Sequence, residues 1–285
     1  MMVVQVAVGG WCLPLGLFLN FAIGGLAGYL FKGDTTRGYA YSYLSPDNAS
    51  FSIWGLIYAL QFGLVVFHSC STKLKGMADS RPYLFLNYLT NGTWLLVNGA
   101  SHHGLSYYLA VVVLWLNLYS LYKVYFLLNV DYSAKVRGCC SGNWTKLTAF
   151  LAVSCNFAWV SIAAVLNLVN TVYDENSTAI NRIGGPDFSI AALAVVTVIA
   201  CHFVFTRLDI GIAGIVVWAL LGIQRNQLPS SESPLEPSET LGVFATGCCV
   251  VVCLSYVMGL LVYSCSAKPK GKENTVCEPL LMNKH

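Results

Sequence analysis

The residues in this chain best suited to chemistry are carboxamides and indoles, and they fall on helical spacing. Residues 156–170 read NFAWVSIAAVLNLVN, and within them Asn156, Trp159, Ala163, Asn167 and Asn170 are separated by 3, 4, 4 and 3 positions. Upstream, Asn87, Asn91, Trp94, Asn98 and Ser101 repeat the pattern at 4, 3, 4 and 3, and Trp54, Tyr58 and Gln61 at 4 and 3. Positions three and four apart share one face of an α-helix, so each set is a single stripe. A carboxamide surrounded by hydrocarbon costs several kcal/mol unless it finds a partner. The asparagines therefore either bond to one another between helices or line a place where something binds. Packing between membrane helices needs small residues and carboxamides, not indoles deep in the span. Aromatic walls with a few hydrogen-bonding groups suit a flat, mostly apolar ligand.

The elements that must hold these stripes are membrane helices. Of the 285 residues 56% are hydrophobic and only 10% charged, and mean hydropathy is +0.63. Soluble domains carry about a quarter charged residues. The apolar runs are of helix length, which excludes an outer-membrane barrel built from roughly ten-residue alternating strands. The expected fold is all-α, a polytopic bundle of about eight transmembrane helices at 3–31, 51–70, 83–101, 105–129, 147–172, 188–206, 209–224 and 241–264. The third is interrupted by Asn87, Asn91 and Asn98, and the seventh is short. Helix one presents Gly16, Asn20, Gly24 and Gly28, a seam of small residues that admits a close neighbour. That neighbour is another helix of the chain or, in a homodimer, a second copy.

Charge fixes an expected orientation. With eight spans, twelve of the sixteen Lys and Arg residues share one side with the C-terminal tail, and only Lys32, Arg37, Arg182 and Arg225 lie on the other. The positive-inside rule then places both termini in the cytoplasm. The sequon Asn176-Ser177-Thr178 falls on the opposite side, open to glycosylation. The N-terminus has no basic region ahead of its long apolar stretch, so it reads as a first span and not as a cleaved signal. The eleven cysteines form no C-x-x-C and suggest no disulfide framework; Cys70, Cys139, Cys140 and Cys265 sit at cytoplasmic membrane edges, the placement that palmitoylation uses. Residues 226–240, rich in Pro, Ser and Glu, read as an exposed loop. Domain organisation follows: a ligand-binding core of five helices over 1–172, further transmembrane helices over 173–264, and a cytoplasmic tail over 265–285.

Three words in this sequence resemble the translocator protein family, also called tryptophan-rich sensory proteins or peripheral benzodiazepine receptors. WVSIAAVLN (159–167) is similar to the family's helix-five signature, FSIWGLIY (51–58) to its helix-two word, and NGTW (91–94) to its helix-three Asn-x-x-Trp. The resemblance covers about residues 10–172, and RLDIGIAGIVVWALLGI (207–223) resembles the extra C-terminal helices of a longer branch. It implies a five-helix bundle around a ligand cavity. The family binds porphyrins, isoquinoline and benzodiazepine-type drugs and, in some members, cholesterol. Carried over residue by residue, Trp54, Tyr58, Asn91, Trp94, Trp159, Ala163 and Asn167 are the ligand-binding candidates. The indoles would stack on a planar ring and the carboxamides would meet its polar edge. The chain departs from the family at Cys155-Asn156, where Pro-Tyr is usual, and at Leu95-Leu96-Val97-Asn98, where Ser-Pro and paired Phe are usual.

The expected function is binding of a planar hydrophobic molecule of porphyrin or sterol type, as sensor, carrier or regulator. The expected partners are that molecule and membrane lipid, with no nucleic acid. No obligatory cofactor and no metal site are expected, with porphyrin or haem entering only as ligand; if haem bound, His102 or His103 would be the candidate to hold its iron. A secondary transporter is the alternative, but no Asp, Glu or Arg lies mid-span to couple ions. An enzyme is not expected, because the spans hold no carboxylate pair or Cys/His pair at useful spacing; the family resemblance alone would suggest porphyrin breakdown. A structural assembly role completes the set. The sterol pattern is met at Leu116, Tyr119, Lys123 and at Leu261, Tyr263, Lys268, which discriminates little in so apolar a chain.

Overall fold

A computed structural model of the chain describes residues 2–30, 42–68, 76–100, 105–128, 144–172, 185–228 and 236–266. Asn176, His102, His103, the tail beyond 266 and residues 229–235 of the 226–240 loop lie outside them. The described residues form an all-helical membrane bundle: α1 (Met2–Leu30), a 3₁₀ turn (Asn48–Ser52) leading into α2 (Ile53–His68), α3 (Met77–Ala100), α4 (Leu105–Leu127), α5 (Trp144–Val172), α6 (Pro186–Arg207), α7 (Ile210–Asn226) and α8 (Glu239–Ser266). Six of these are long and apolar enough to cross a membrane. The two that are not are those the sequence marks: α3, diluted by its polar stripe, and α7, with 17 residues.

Packing divides the bundle in two. The first five helices form a ring in the order α1, α3, α4, α5, α2, closed by a slight contact between α2 and α1. α6, α7 and α8 form a second cluster, joined to the ring where α7 lies against α5 and against the turn before α2. α5 is the shared wall, with 61% of its span buried against 28% for α1, α6 and α8. The outward faces of those helices carry large apolar side chains, including Trp11, Phe18, Val198 and Val243, as lipid-facing surfaces do.

Gly16, Asn20 and Gly24 of the α1 seam are used inside the chain, while a β-carbon at Gly28 would meet nothing within 4 Å. A β-carbon at Gly16 would lie 2.9 Å from the Tyr88 ring, and one at Gly24 would lie 3.1 Å from Leu95, so both glycines face α3. Gly92 answers from α3, its missing β-carbon 3.2 Å from the Asn20 backbone. This close approach is the one membrane helices use in place of a hydrophobic driving force.

Between α6 and α7 the chain turns in two residues. Leu208 ends α6 in the left-handed region, at φ 51° and ψ 39°, a conformation that costs a branched residue about 1 kcal/mol. Its side chain is fully covered, in a space left by Gly259 of α8, whose β-carbon would stand 2.8 Å from Leu208 Cδ2. Asp209 follows and caps α7, accepting the Ile212 N–H at 3.0 Å.

Candidate functional site

The question posed by the asparagine stripes has a divided answer. Inside the ring, five asparagines and a tyrosine form one chain of hydrogen bonds through all five helices. Asn156 of α5 donates to Asn87 of α3 at 3.2 Å. Asn87 in turn donates to Asn117 of α4 in a short bond, and Asn117 donates to Asn91 of α3 at 3.4 Å. The Asn91 amide donates to Asn20 of α1 at 3.2 Å and to the Tyr58 hydroxyl of α2 at 3.1 Å. The five carboxamides are almost wholly buried. These groups floor the ring at mid-depth. With interhelical bonds in a membrane worth about 0.6 kcal/mol each on average, the chain of bonds contributes roughly 3 kcal/mol.

The floor keeps two buried atoms without a partner, Asn20 Nδ2 and Asn156 Oδ1, and more stand toward the end of the ring where α2 begins. Asn167 and Asn170 each leave a buried Oδ1 without a hydrogen-bond partner, and so does the Trp94 indole N–H. Between floor and end lies a packed aromatic and aliphatic cluster. Trp54 from α2, Trp94 from α3 and Ala163 from α5 pack against Leu114, Val160 and Ala164, a buried cluster separate from the main core. Trp54 stacks on Tyr58 with ring centres 5.4 Å apart and meets Trp159 edge-on at 6.4 Å. Phe51 also meets Trp159 edge-on, at 5.8 Å.

Of the seven residues expected from sequence, Trp54, Tyr58 and Trp159 form one aromatic group, and Trp94 and Ala163 join Trp54 on the inner cluster. Asn91 belongs to the floor, with its donor and acceptor both engaged. Asn167 stands apart from it, half-buried and unpartnered. A cavity of about 30 Å³ lies elsewhere, between α5, α6 and α7, lined by apolar residues such as Ile162, Leu166, Val196 and Leu220.

Two polar clusters escaped the sequence reading, one at each end of α7. At the first, Asp47 caps the 3₁₀ turn through Ser50 and is clasped by Arg225, with Nε–Oδ2 at 2.8 Å and Nη2–Oδ1 at 3.1 Å. Burial pushes the Asp47 carboxyl up, but the hydrogen bonds from Arg225 and Ser50 and the guanidinium charge outweigh it and hold the group below the ordinary carboxylate value. The stability it contributes is thus present above pH about 4 and lost as pH falls through the lowered value. At the other end, Asp209 is fully buried and accepts the Tyr125 hydroxyl at 2.8 Å as well as the N-terminal amide of α7. The spacing Asp47–Ser50 is a capping signal legible in sequence; the lone Asn117 in the apolar α4 was another available clue.

A family model described as TSPO-like protein matches residues 15–258. The chain belongs to the TSPO-like family. The match runs from α1 into α8, so it takes in the three C-terminal helices as well as the ring. Neither the curated proteins nor the solved structures gave a match. The TSPO-like match supports an integral membrane protein of the TSPO type, in keeping with the apolar helices.

Proposed function

We propose that this TSPO-like protein binds a planar, largely apolar molecule of the porphyrin class inside the five-helix ring, above the asparagine floor, and acts as its sensor, carrier or regulator. The observation that carries the reading is the pairing of an indole-lined cluster with polar atoms left unmatched beside it: the Trp94 N–H and the Asn167 and Asn170 carbonyls. A buried polar atom without a partner is costly, and a ligand with a polar rim offsets that cost. In this reading both termini face the cytoplasm, as the charge bias indicates, and the chain performs no catalytic step.

The test is quenching of intrinsic tryptophan fluorescence when detergent-solubilised protein is titrated with protoporphyrin IX. Saturable quenching is expected. Asn167→Ala should weaken it about three- to tenfold, one hydrogen bond's worth, with thermal stability unchanged. Asn91→Ala should instead lower the unfolding temperature, because its carboxamide holds four helices together. Quenching that never saturates and is the same in all three proteins would remove the ligand site and leave the stripes as packing alone.

A further inference from the structure

The three C-terminal helices need an explanation that the ring by itself does not supply. Their α7 grips the segment that leads into α2 by a dense set of bonds. Besides the two Arg225–Asp47 contacts, the Trp218 indole donates to the Ser50 carbonyl at 2.9 Å and the Asp47 N–H donates to the Gly222 carbonyl at 3.1 Å. Asn226 donates to the Ser45 carbonyl at 3.0 Å and Gln227 to that of Tyr43 at 3.3 Å. Gly222 makes the approach feasible: a β-carbon there would overlap the Ser50 hydroxyl and stand 2.9 Å from Pro46 Cβ. The Arg225 guanidinium lies 5.7 Å from the Trp218 ring, which fixes both side chains toward the same segment.

That segment carries the wall of the candidate pocket. Phe51 is one residue past Ser50, and Trp54 is one turn further on; both rest edge-on against Trp159. Within the ring, α2 gets little support from α1. Its outer support on the side of the 3₁₀ turn is α7.

We propose that the C-terminal helices are a control module for the ligand site: α7, acting through Arg225 and Trp218, positions residues 42–54 so that Phe51 and Trp54 stand against Trp159, and release of that grip opens the wall. Arg225 and Trp218 are positioning residues and do not touch ligand. The coupling is reciprocal by thermodynamic necessity, so a ligand in the ring tightens the hold of α7 by the same factor. The proposal rests on the ligand-binding reading above, and the experiment separates the two.

Hydrogen exchange of the amides in 42–54 and protoporphyrin IX quenching are measured on the full chain, as wild type, Arg225→Gln, Trp218→Phe, Tyr125→Phe, and the charge swap Asp47→Arg with Arg225→Asp. Loss of a charged bidentate contact should speed exchange in 42–54 by about tenfold and weaken porphyrin binding by about fivefold or more. Trp218→Phe should do the same to a smaller extent and serves if Arg225→Gln does not fold. The swap should recover at least part of both effects. Tyr125→Phe loosens the opposite end of α7; it should lower the unfolding temperature while leaving exchange in 42–54 and affinity unchanged, which a merely structural role for Arg225 would not distinguish. Exchange in 42–54 that stays at the wild-type rate in Arg225→Gln and Trp218→Phe would overturn the proposal, as would faster exchange with unaltered affinity. If wild type shows no saturable quenching, the ligand reading falls, and exchange together with the swap still decides whether α7 positions the segment.

Discussion

Asp209→Ala is expected to destabilise the protein by about 2–4 kcal/mol, read as a fall in the temperature or denaturant concentration at which tryptophan fluorescence reports unfolding. Three losses coincide. The cap of α7 goes, worth about 1 kcal/mol. The bond that the Tyr125 hydroxyl donates to the buried Asp209 carboxylate at 2.8 Å is lost, a hydrogen bond to a charged group worth about 1.5–3 kcal/mol. The junction of α4, α5 and α7 also loses its packing at Gly211, whose β-carbon would stand 3.1 Å from Ser154 Cβ and 3.2 Å from the Asp209 carboxylate. Asp209→Asn keeps the capping oxygen and should cost about 1 kcal/mol or less.

Asn87→Leu is the second large effect, about 2–4 kcal/mol. Asn87 is the node of the floor, giving its amide to Asn117 and taking that of Asn156. Leucine removes two interhelical bonds of roughly 0.6 kcal/mol each and leaves the Asn117 carbonyl and the Asn156 amide buried among apolar neighbours. Thr93→Val, on the same helix, is the control: the Thr93 hydroxyl bonds to the Leu89 carbonyl one turn back, at 2.8 Å, and its loss should cost under about 0.5 kcal/mol. Equal effects in the two variants would mean that the asparagine chain contributes little beyond ordinary helix packing.

The helices were legible because a membrane imposes length and apolarity on each of them separately. Seven of the eight begin within a few residues of the positions that hydropathy indicates. α3 begins at Met77 and not near residue 83, because Asp79, Ser80, Arg81 and Pro82 read as loop yet wind into its first turns. The stripes were legible for the same reason, being periodic within one helix. What was not legible is pairing between helices. Asn91 carries the motif that suggested a ligand contact, but only the arrangement of α1, α2 and α4 around it shows its amide engaged by Asn20 and Tyr58. Arg225 read as a topological marker on the less basic side; its partner lies 178 positions away, and no spacing rule links them. Asp209 sits between two apolar runs, where a charge ordinarily marks water, and is instead enclosed by residues from α4 and α5.

The brevity of α7 bears on how the protein is made. At 17 residues it is about 25 Å long, short of a hydrocarbon layer of about 30 Å. An acid stands at one end and a base near the other, so it makes a poor independent insertion signal. Only Leu208 and Asp209 separate it from α6, and the two are expected to enter the bilayer as one hairpin. The segment around Asp47, synthesised some 178 residues before Arg225, must wait in an unfinished ring until that hairpin arrives. Labelling of Ser50→Cys, in a chain whose own cysteines are replaced by serine or alanine and which is stalled before and after residue 226, reads this order directly. On this order the contact that fastens the segment around Asp47 forms only once α7 is made, with α8 alone still to follow.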